Sequence, residues 1–120
     1  MATEEIAFMK VFNYTEIPSE IAEQGARGTT VRWLITRDTG AENFAMRYFE
    51  MEAGGYSPYH HHEWEHEVFI LEGEGTITTE SGDIPFQPGS VVFIPPNEYH
   101  QFKNTGKRPV KFLCLIPYKG

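Results

Sequence analysis

The sequence predicts a single all-β domain, a sandwich or barrel, on two observations. Short runs rich in Val, Ile, Phe, Tyr and Thr recur along the chain, separated by Gly, Pro, Asn or Asp, which is the pattern of strands joined by turns. Helix signals are almost absent, and regular short strands without helices are typical of β-sandwiches and barrels. The 120 residues contain no linker or low-complexity tract, so we expect one domain over residues 1–120.

The expected elements follow in chain order. One or two helical turns are predicted for "PSEIAEQG", residues 18–25, because a proline start, an acidic body and a glycine end are typical of a short helix. The predicted fold class therefore contains at most this one short helix near the N-terminus. The strands are expected at residues 29–36, 43–52, 67–79, 90–96, 100–104 and 110–117.

Two of the expected strands are apolar on both faces. In "EVFILE", Val68 and Ile70 share one face while Phe69 and Leu71 share the other, and "SVVFIP" repeats the pattern. A sheet that exposes one face to water should instead alternate between apolar and polar residues. We therefore expect a homodimer in which a second copy covers part of the outer surface.

Composition excludes several classes of partner. The formal net charge of −7 at pH 7 argues against nucleic acid and anionic membrane surfaces, which both need clustered Lys and Arg. The acidic N-terminus "MATEEIAFMK" lacks the basic start and apolar stretch of a signal peptide, so we expect a cytoplasmic protein. The single cysteine, Cys114, excludes an internal disulfide and is interpreted first as a small core residue.

Four of the five histidines lie between residues 60 and 66. Alternate strand residues share a face, so His60 and His62 point one way and His61 the other. His66 begins the next run on the face of Val68 and Ile70, which aims the neighbouring glutamates outward. Three imidazoles converging in the interior would form a transition-metal site, although a solvated histidine cluster is the alternative that the flanking glutamates favour.

Two stretches resemble the signatures of the cupin barrels. In "GGYSPYHHHEWEHEVFILEG", residues 54–73, five residues separate Gly54 from the His-x-His that begins at His60, and six residues separate His66 from Gly73. In "GSVVFIPPNEYHQFKN", residues 89–104, the spacing of Gly89, Pro95 and His100 also fits. The resemblance implies a small jelly-roll-like cupin barrel.

The resemblance also implies a ligand set. His60 and His62 fall on the first pair of cupin metal ligands, and His100 falls on the ligand of the second signature. The remaining cupin ligand is usually a glutamate, and this chain has His66 there. Asn97 replaces a signature glycine, which Asn permits because it tolerates positive φ.

An all-histidine set resembles a subgroup of small microbial cupins associated with manganese and oxidative cleavage. The implied cofactor is one divalent transition metal, with manganese or iron favoured and zinc, nickel and copper left open. Four neutral donors would leave two adjacent positions on an octahedral ion, enough for a substrate and dioxygen. We therefore expect a dioxygenase-like oxidoreductase acting on a small aromatic or alkene molecule. The alternatives are a metal-dependent isomerase or lyase and a non-catalytic binding cupin.

No catalytic residue distinct from the metal ligands is predicted, because no Ser-His-Asp or Cys-His arrangement is left once the histidines bind metal. Strand parity aims Phe112 and Cys114 into the barrel, and Ile70 shares the face of His66. Trp64, between the ligands, either caps the pocket or packs at a dimer surface. These four residues are the expected pocket lining, whereas parity does not decide which face of residues 43–52 points inward.

Overall fold

The computed structural model describes residues 9–118 and confirms the all-β fold class. The only helical elements in that range are two single 3-10 turns, Tyr14–Glu16 and Arg37–Thr39. The strands are β1 (Glu20–Ile21), β2 (Arg27–Ile35), β3 (Phe44–Tyr56), β4 (His66–Glu72), β5 (Gly75–Thr79), β6 (Gly82–Phe86), β7 (Val91–Ile94), β8 (Gln101–Asn104) and β9 (Val110–Pro117).

All of these strands pair antiparallel in one curled sheet. The order is β6-β5-β8-β3-β9-β4-β7, and β1 and β2 add to the side of β3. The inner face encloses an apolar core in which Met51, Ile70 and Val110 are fully buried. Because the sheet curls around this core, inward side chains from its two edges meet at one end of a half-barrel.

Three sequence-based expectations are corrected. Residues 18–25 do not form a helix, because Glu20 and Ile21 pair with β2 and a turn follows them. The run 67–79 splits into β4 and β5 at Gly73, whose φ is 88° and whose absent Cβ would lie 2.5 Å from the Pro109 carbonyl oxygen. β6 was not predicted, since its alternation is weak and Pro85 within it is a residue that sheets confine to edges.

The two-faced apolar strands have different surroundings on their outer side. On β3, the outward Tyr48 is covered by Tyr14 of the N-terminal segment, with ring centroids 4.7 Å apart. On β4 and β7 the outward residues are uncovered: Phe69 is 45% and Phe93 58% exposed. The outer surface of this pair of strands therefore carries an exposed apolar patch, with the outward Glu67 beside Phe93.

The range described contains no helix with the length and hydropathy that crossing a bilayer requires. The N-terminal stretch from which the cytoplasmic location was inferred lies mostly outside the described residues.

Candidate metal centre

Backbone pairing brings His60 and His100 together although 40 positions separate them in the sequence. They form an isolated antiparallel bridge. The His60 amide donates to the His100 carbonyl at 3.2 Å, and the His100 amide donates back to the His60 carbonyl at 3.0 Å. The two signature segments are therefore joined at the histidines themselves.

The other two histidines are fixed by neighbouring backbone. His66 is the first residue of β4 and pairs with Ile94 of β7. The His62 carbonyl accepts a hydrogen bond from the amide of Asn97. Asn97 has a φ of 66°, the only positive value among the described residues other than glycine, which confirms the sequence interpretation of this position. The turn at Asn97 thus holds the segment that carries His62.

The four imidazole rings form one cluster. Ring centroids are 4.3 Å apart for His60 and His62, 5.2 Å for His62 and His66, 5.1 Å for His66 and His100, and 4.9 Å for His60 and His100. His61 points away, as strand parity predicted, and lies against the ring of Tyr99 at 4.5 Å. The parity argument for the histidines is therefore confirmed.

The acidic neighbours of the cluster also follow the parity prediction. Glu65 and Glu67 are both exposed on the outer side of the chain. Neither side chain is directed at the rings from its own strand, so the glutamates next to the missing cupin carboxylate do not replace it.

Two of the rings are held by hydrogen bonds at Nδ1. His60 Nδ1 lies 3.0 Å from Oε2 of Glu23, and this bond holds the pKa of the Glu23 carboxyl below its usual value. His100 Nδ1 lies 2.9 Å from the carbonyl oxygen of Glu98, which can only accept. Both rings then carry their proton on Nδ1 and leave the Nε2 lone pair for another partner, the tautomer that outer contacts impose on metal-binding histidines.

Three of the four rings have lowered pKa values and are neutral near pH 7. Burial, with the nearby charges of His100 and Arg47, lowers the pKa of His66 to about 3. Burial also lowers the pKa values of His62 and His100. His66 is 5% exposed, and its Nδ1 is buried without a hydrogen-bond partner. A buried ring nitrogen of this kind is available to bind an ion, a water or a ligand.

Glu23 is a site residue that sequence reasoning missed. Among residues 9–118, the donors that lie within 4.8 Å of one another are those of Glu23, His60 and His62. The ring nitrogens of His66 and His100 do not meet this distance criterion with all three of those residues. Glu23 reaches the site because Ala22 and β1 pair with β2, a long-range contact. Only the acidic character of residues 18–25 could have drawn attention to it.

A cavity of about 50 Å³ opens beside the cluster and is lined by all four clustered histidines. Phe112 and Cys114, both predicted to line the pocket, are in its wall. Ile70 is not in the lining, because it lies farther along β4 and is fully buried in the core. Trp64, also predicted to line the pocket, is not in the lining of this cavity either. It stacks on His62, with centroids 4.5 Å apart and planes 8° from parallel.

The structure also decides which face of β3 points inward. Arg47, Phe49 and Met51 line the cavity, so the odd-numbered residues face the barrel interior. Their neighbour Tyr48 faces outward, toward Tyr14. Arg47 is thereby placed in the cavity wall, a role that strand parity alone left open.

Residues 47–116 match the protein family described as Cupin domain. The match covers more than half of the chain and includes both histidine-bearing segments.

Among solved structures, the polyketide cyclase RemF from Streptomyces resistomycificus superimposes with a TM-score of 0.87 and 36% sequence identity, covering 92% of this chain and 80% of that one. Two curated relatives match over shorter stretches. The 1-methylthio-D-xylulose 5-phosphate methylsulfurylase of Rhodospirillum rubrum is 34% identical over 71 residues, 59% of this chain and 46% of that protein. The oxalate-binding protein of Thermotoga maritima is 40% identical over 58 residues, 48% of each. This chain spans about half the length of these two curated relatives.

Proposed function

The chain belongs to the cupin-domain family, and from that membership we propose that it is an enzyme whose four clustered histidines hold one divalent transition ion. The observation that carries the proposal is the cluster itself, four rings that border one cavity with centroids 4.3 to 6.2 Å apart. The proposed ligands are His60, His62, His66 and His100.

The chemistry of these side chains fits such an ion. Neutral imidazole is a ligand that manganese, iron, zinc, nickel and copper all accept, and the lowered pKa values keep three of the rings neutral. The unpartnered Nδ1 of His66 and the Nδ1 contacts of His60 and His100 support the same interpretation. Manganese or iron remains our preferred metal.

A bound ion would supply Lewis acidity, polarising a carbonyl or enol oxygen of the substrate. The chain's own contribution is to enclose the reacting group. Phe49 and Phe102 each stack on Phe112 with ring centroids 5.0 Å apart, and these rings form an apolar wall that excludes water. We assign no separate catalytic base, since Glu23 in the cavity wall is hydrogen-bonded to His60.

We propose that the reaction is a cyclisation of a small substrate that carries several carbonyl groups. In such an aldol reaction a carbon next to one carbonyl gives a proton to solvent water and bonds to a second carbonyl carbon, whose oxygen takes up a proton. That hydroxyl then leaves as water with a hydrogen from the neighbouring carbon, and the ring becomes aromatic. The similarity to a polyketide cyclase over 92% of this chain supports this choice. It replaces oxygenation as our first candidate, because carbonyl polarisation requires no oxidant.

Oxygenation, as expected from the sequence, remains the second candidate. It is favoured by the number of proposed ligands, since an ion held by four histidines would have room for both a substrate oxygen and dioxygen. The oxalate-binding relative favours a third outcome, binding without turnover.

One experiment separates these outcomes. Manganese-loaded protein is incubated with a synthetic aromatic poly-β-ketone under argon and under air, with His66→Ala as the control. Cyclisation predicts a product lighter by one water, formed at the same rate in both atmospheres. Oxygen uptake and a product containing added oxygen would favour the oxygenase, whereas saturable binding without product would leave a binding protein.

We further propose a cytoplasmic homodimer. The apolar patch formed by Phe69, Leu71, Val91 and Phe93 supports a second copy as the cover. A permanent interface of this kind buries roughly 2,000 Å² or more. Neither nucleic acid nor a membrane is proposed as a partner, given the net charge of −7.

A further inference from the structure

Arg47 is a cation in the wall of the cavity. It lies on the inward face of β3, paired across the sheet with Cys114 of β9. Its Nη2 donates to the sulfur of Cys114 at 3.0 Å. The guanidinium carbon lies 4.9 Å from the centre of the Phe49 ring and 5.4 Å from that of Trp33. Two aromatic rings and a thiol therefore hold the guanidinium in place.

None of these contacts neutralises the charge of Arg47. Both salt bridges found within residues 9–118 involve other groups, His60 with Glu23 and Lys111 with Glu72. Cys114 is 4% exposed, and burial raises the pKa of its thiol, so the sulfur is uncharged near pH 7. Arg47 also has a buried Nε without a hydrogen-bond partner. The Glu23 carboxylate interacts with this charge, which helps to lower the Glu23 pKa, but it forms no salt bridge with Arg47. A buried donor and a charge without an ion-pair partner are both costly unless a partner binds them.

The acidic side chain in the cavity wall is already hydrogen-bonded to another residue. Glu23 is the only acidic side chain among the described residues that line the cavity, and its carboxylate accepts from His60 at 3.0 Å. The planar guanidinium has a geometry that matches a carboxylate with two parallel hydrogen bonds. A substrate carboxylate would therefore give Arg47 the hydrogen-bond acceptor and the ion-pair partner that the protein itself does not supply.

We propose that Arg47 binds a carboxylate of the substrate, so that this site takes a small organic acid. The inference rests on the proposed function and narrows it, because the same molecule would present its reacting oxygen to the histidine cluster. A site for one water needs about 10 to 15 Å³, so the cavity of about 50 Å³ admits a group of only a few heavy atoms. The remainder of the substrate then extends beyond the cavity mouth.

The test compares carboxylates with their neutral amides. Acetate, oxalate and benzoate, with acetamide, oxamide and benzamide, are titrated by calorimetry into wild type, Arg47→Met and Arg47→Lys. The control is Arg37→Met, because Arg37 stacks on Tyr118 outside the cavity. Each protein is measured both metal-free and loaded with manganese, and manganese affinity is measured on the same samples.

We expect wild type to bind at least one carboxylate about tenfold to a hundredfold more tightly than its amide, the range for a hydrogen bond to a charged group. Arg47→Met should lose this preference, Arg47→Lys should retain part of it, and Arg37→Met should keep it fully. Manganese should still bind in all of them, and its affinity should not fall in Arg47→Met, because that substitution removes a positive charge close to the histidines. If Arg47→Met does not fold, Arg47→Lys decides: weakened carboxylate binding supports the proposal, and unchanged binding overturns it.

The metal-free arm separates this inference from the proposed metal centre. A preference that depends on Arg47 in metal-free protein supports the inference even if no ion binds. A preference that appears only with manganese and survives in Arg47→Met places the anion on the ion. That result, or a wild type that does not distinguish any carboxylate from its amide, overturns the role of Arg47.

Discussion

Replacing Glu23 by Gln should weaken metal binding by about tenfold without removing it. The substitution keeps the size of the side chain and removes the charge that accepts the His60 Nδ1 proton at 3.0 Å. A hydrogen bond to a charged group contributes about 1.5 to 3 kcal/mol. Here the His60 and Glu23 side chains are 24% and 49% exposed, so solvent screening leaves about 1 to 1.5 kcal/mol. That corresponds to the low end of the roughly 10- to 100-fold effect of a residue that orients a metal-binding histidine.

The assay is a competition titration of metal-free protein with manganese against a chelating dye. The matched control is Glu20→Gln, which removes an exposed carboxylate of β1 from the same segment. We expect one ion per chain in all three proteins, with weaker affinity in Glu23→Gln alone. In a His60→Ala background, Glu23→Gln should have little further effect, because its contribution passes through the His60 ring.

Two results would refute this reasoning. Equal affinities in wild type and Glu23→Gln would mean that the contact does not orient His60. Loss of stoichiometric binding in Glu23→Gln would mean that Glu23 is itself a ligand, as the 4.8 Å grouping of Glu23, His60 and His62 permits.

Three further predictions concern stability and assembly. Asn97→Ala should lower the free energy of unfolding by about 1 kcal/mol, because alanine adopts the φ of 66° at this position less readily than asparagine. Asn97→Gly should melt near the wild-type temperature. Equal melting temperatures for the two variants would contradict this prediction. In metal-free protein, the folded pKa of His66 (about 3) is below its ordinary value of 6.5, so the unfolded chain binds more protons between these values. Stability should therefore be full above pH 6.5 and fall as pH drops toward 3, with a smaller fall in His66→Gln in urea titrations; an equal fall would exclude His66 as the cause. Light scattering should give twice 13.8 kDa for wild type and 13.8 kDa for Phe69→Lys with Phe93→Lys; a monomeric wild type would remove the dimer.

Features set by local sequence could be predicted. Alternation of side chains predicted His61 outward and His60 and His62 together. The structure agrees, although His60 forms only an isolated bridge with His100 and the two following histidines lie outside the strands. The positive φ at Asn97 was predictable because Asn97 stands at the place of a glycine in the signature that the sequence resembles, and Asn is one of the few other residues that tolerate that conformation. Strand period and turn chemistry therefore predicted the fold class and the convergence of His60, His62 and His66, whereas His100 joined the predicted set through the resemblance to the cupin signatures.

Features set by long-range pairing could not be predicted. Glu23 reaches the site through the pairing of β1 with β2, and nothing in residues 18–25 encodes that contact. Arg47 was undecided because both faces of β3 carry large apolar residues, and its outer face is covered by Tyr14 from a distant segment. In both cases the deciding contact joins residues far apart in the chain.

The central claim, that four histidines hold one ion, is tested most directly by metal analysis of protein purified without added metal. Wild type, His66→Ala and His61→Ala are compared by mass spectrometry, with circular dichroism to confirm folding. We predict one equivalent of a divalent transition metal in wild type and in His61→Ala, whose ring lies outside the cluster, and far less in folded His66→Ala. A full equivalent retained by His66→Ala would contradict the account and would leave Glu23, His60 and His62 as the donors.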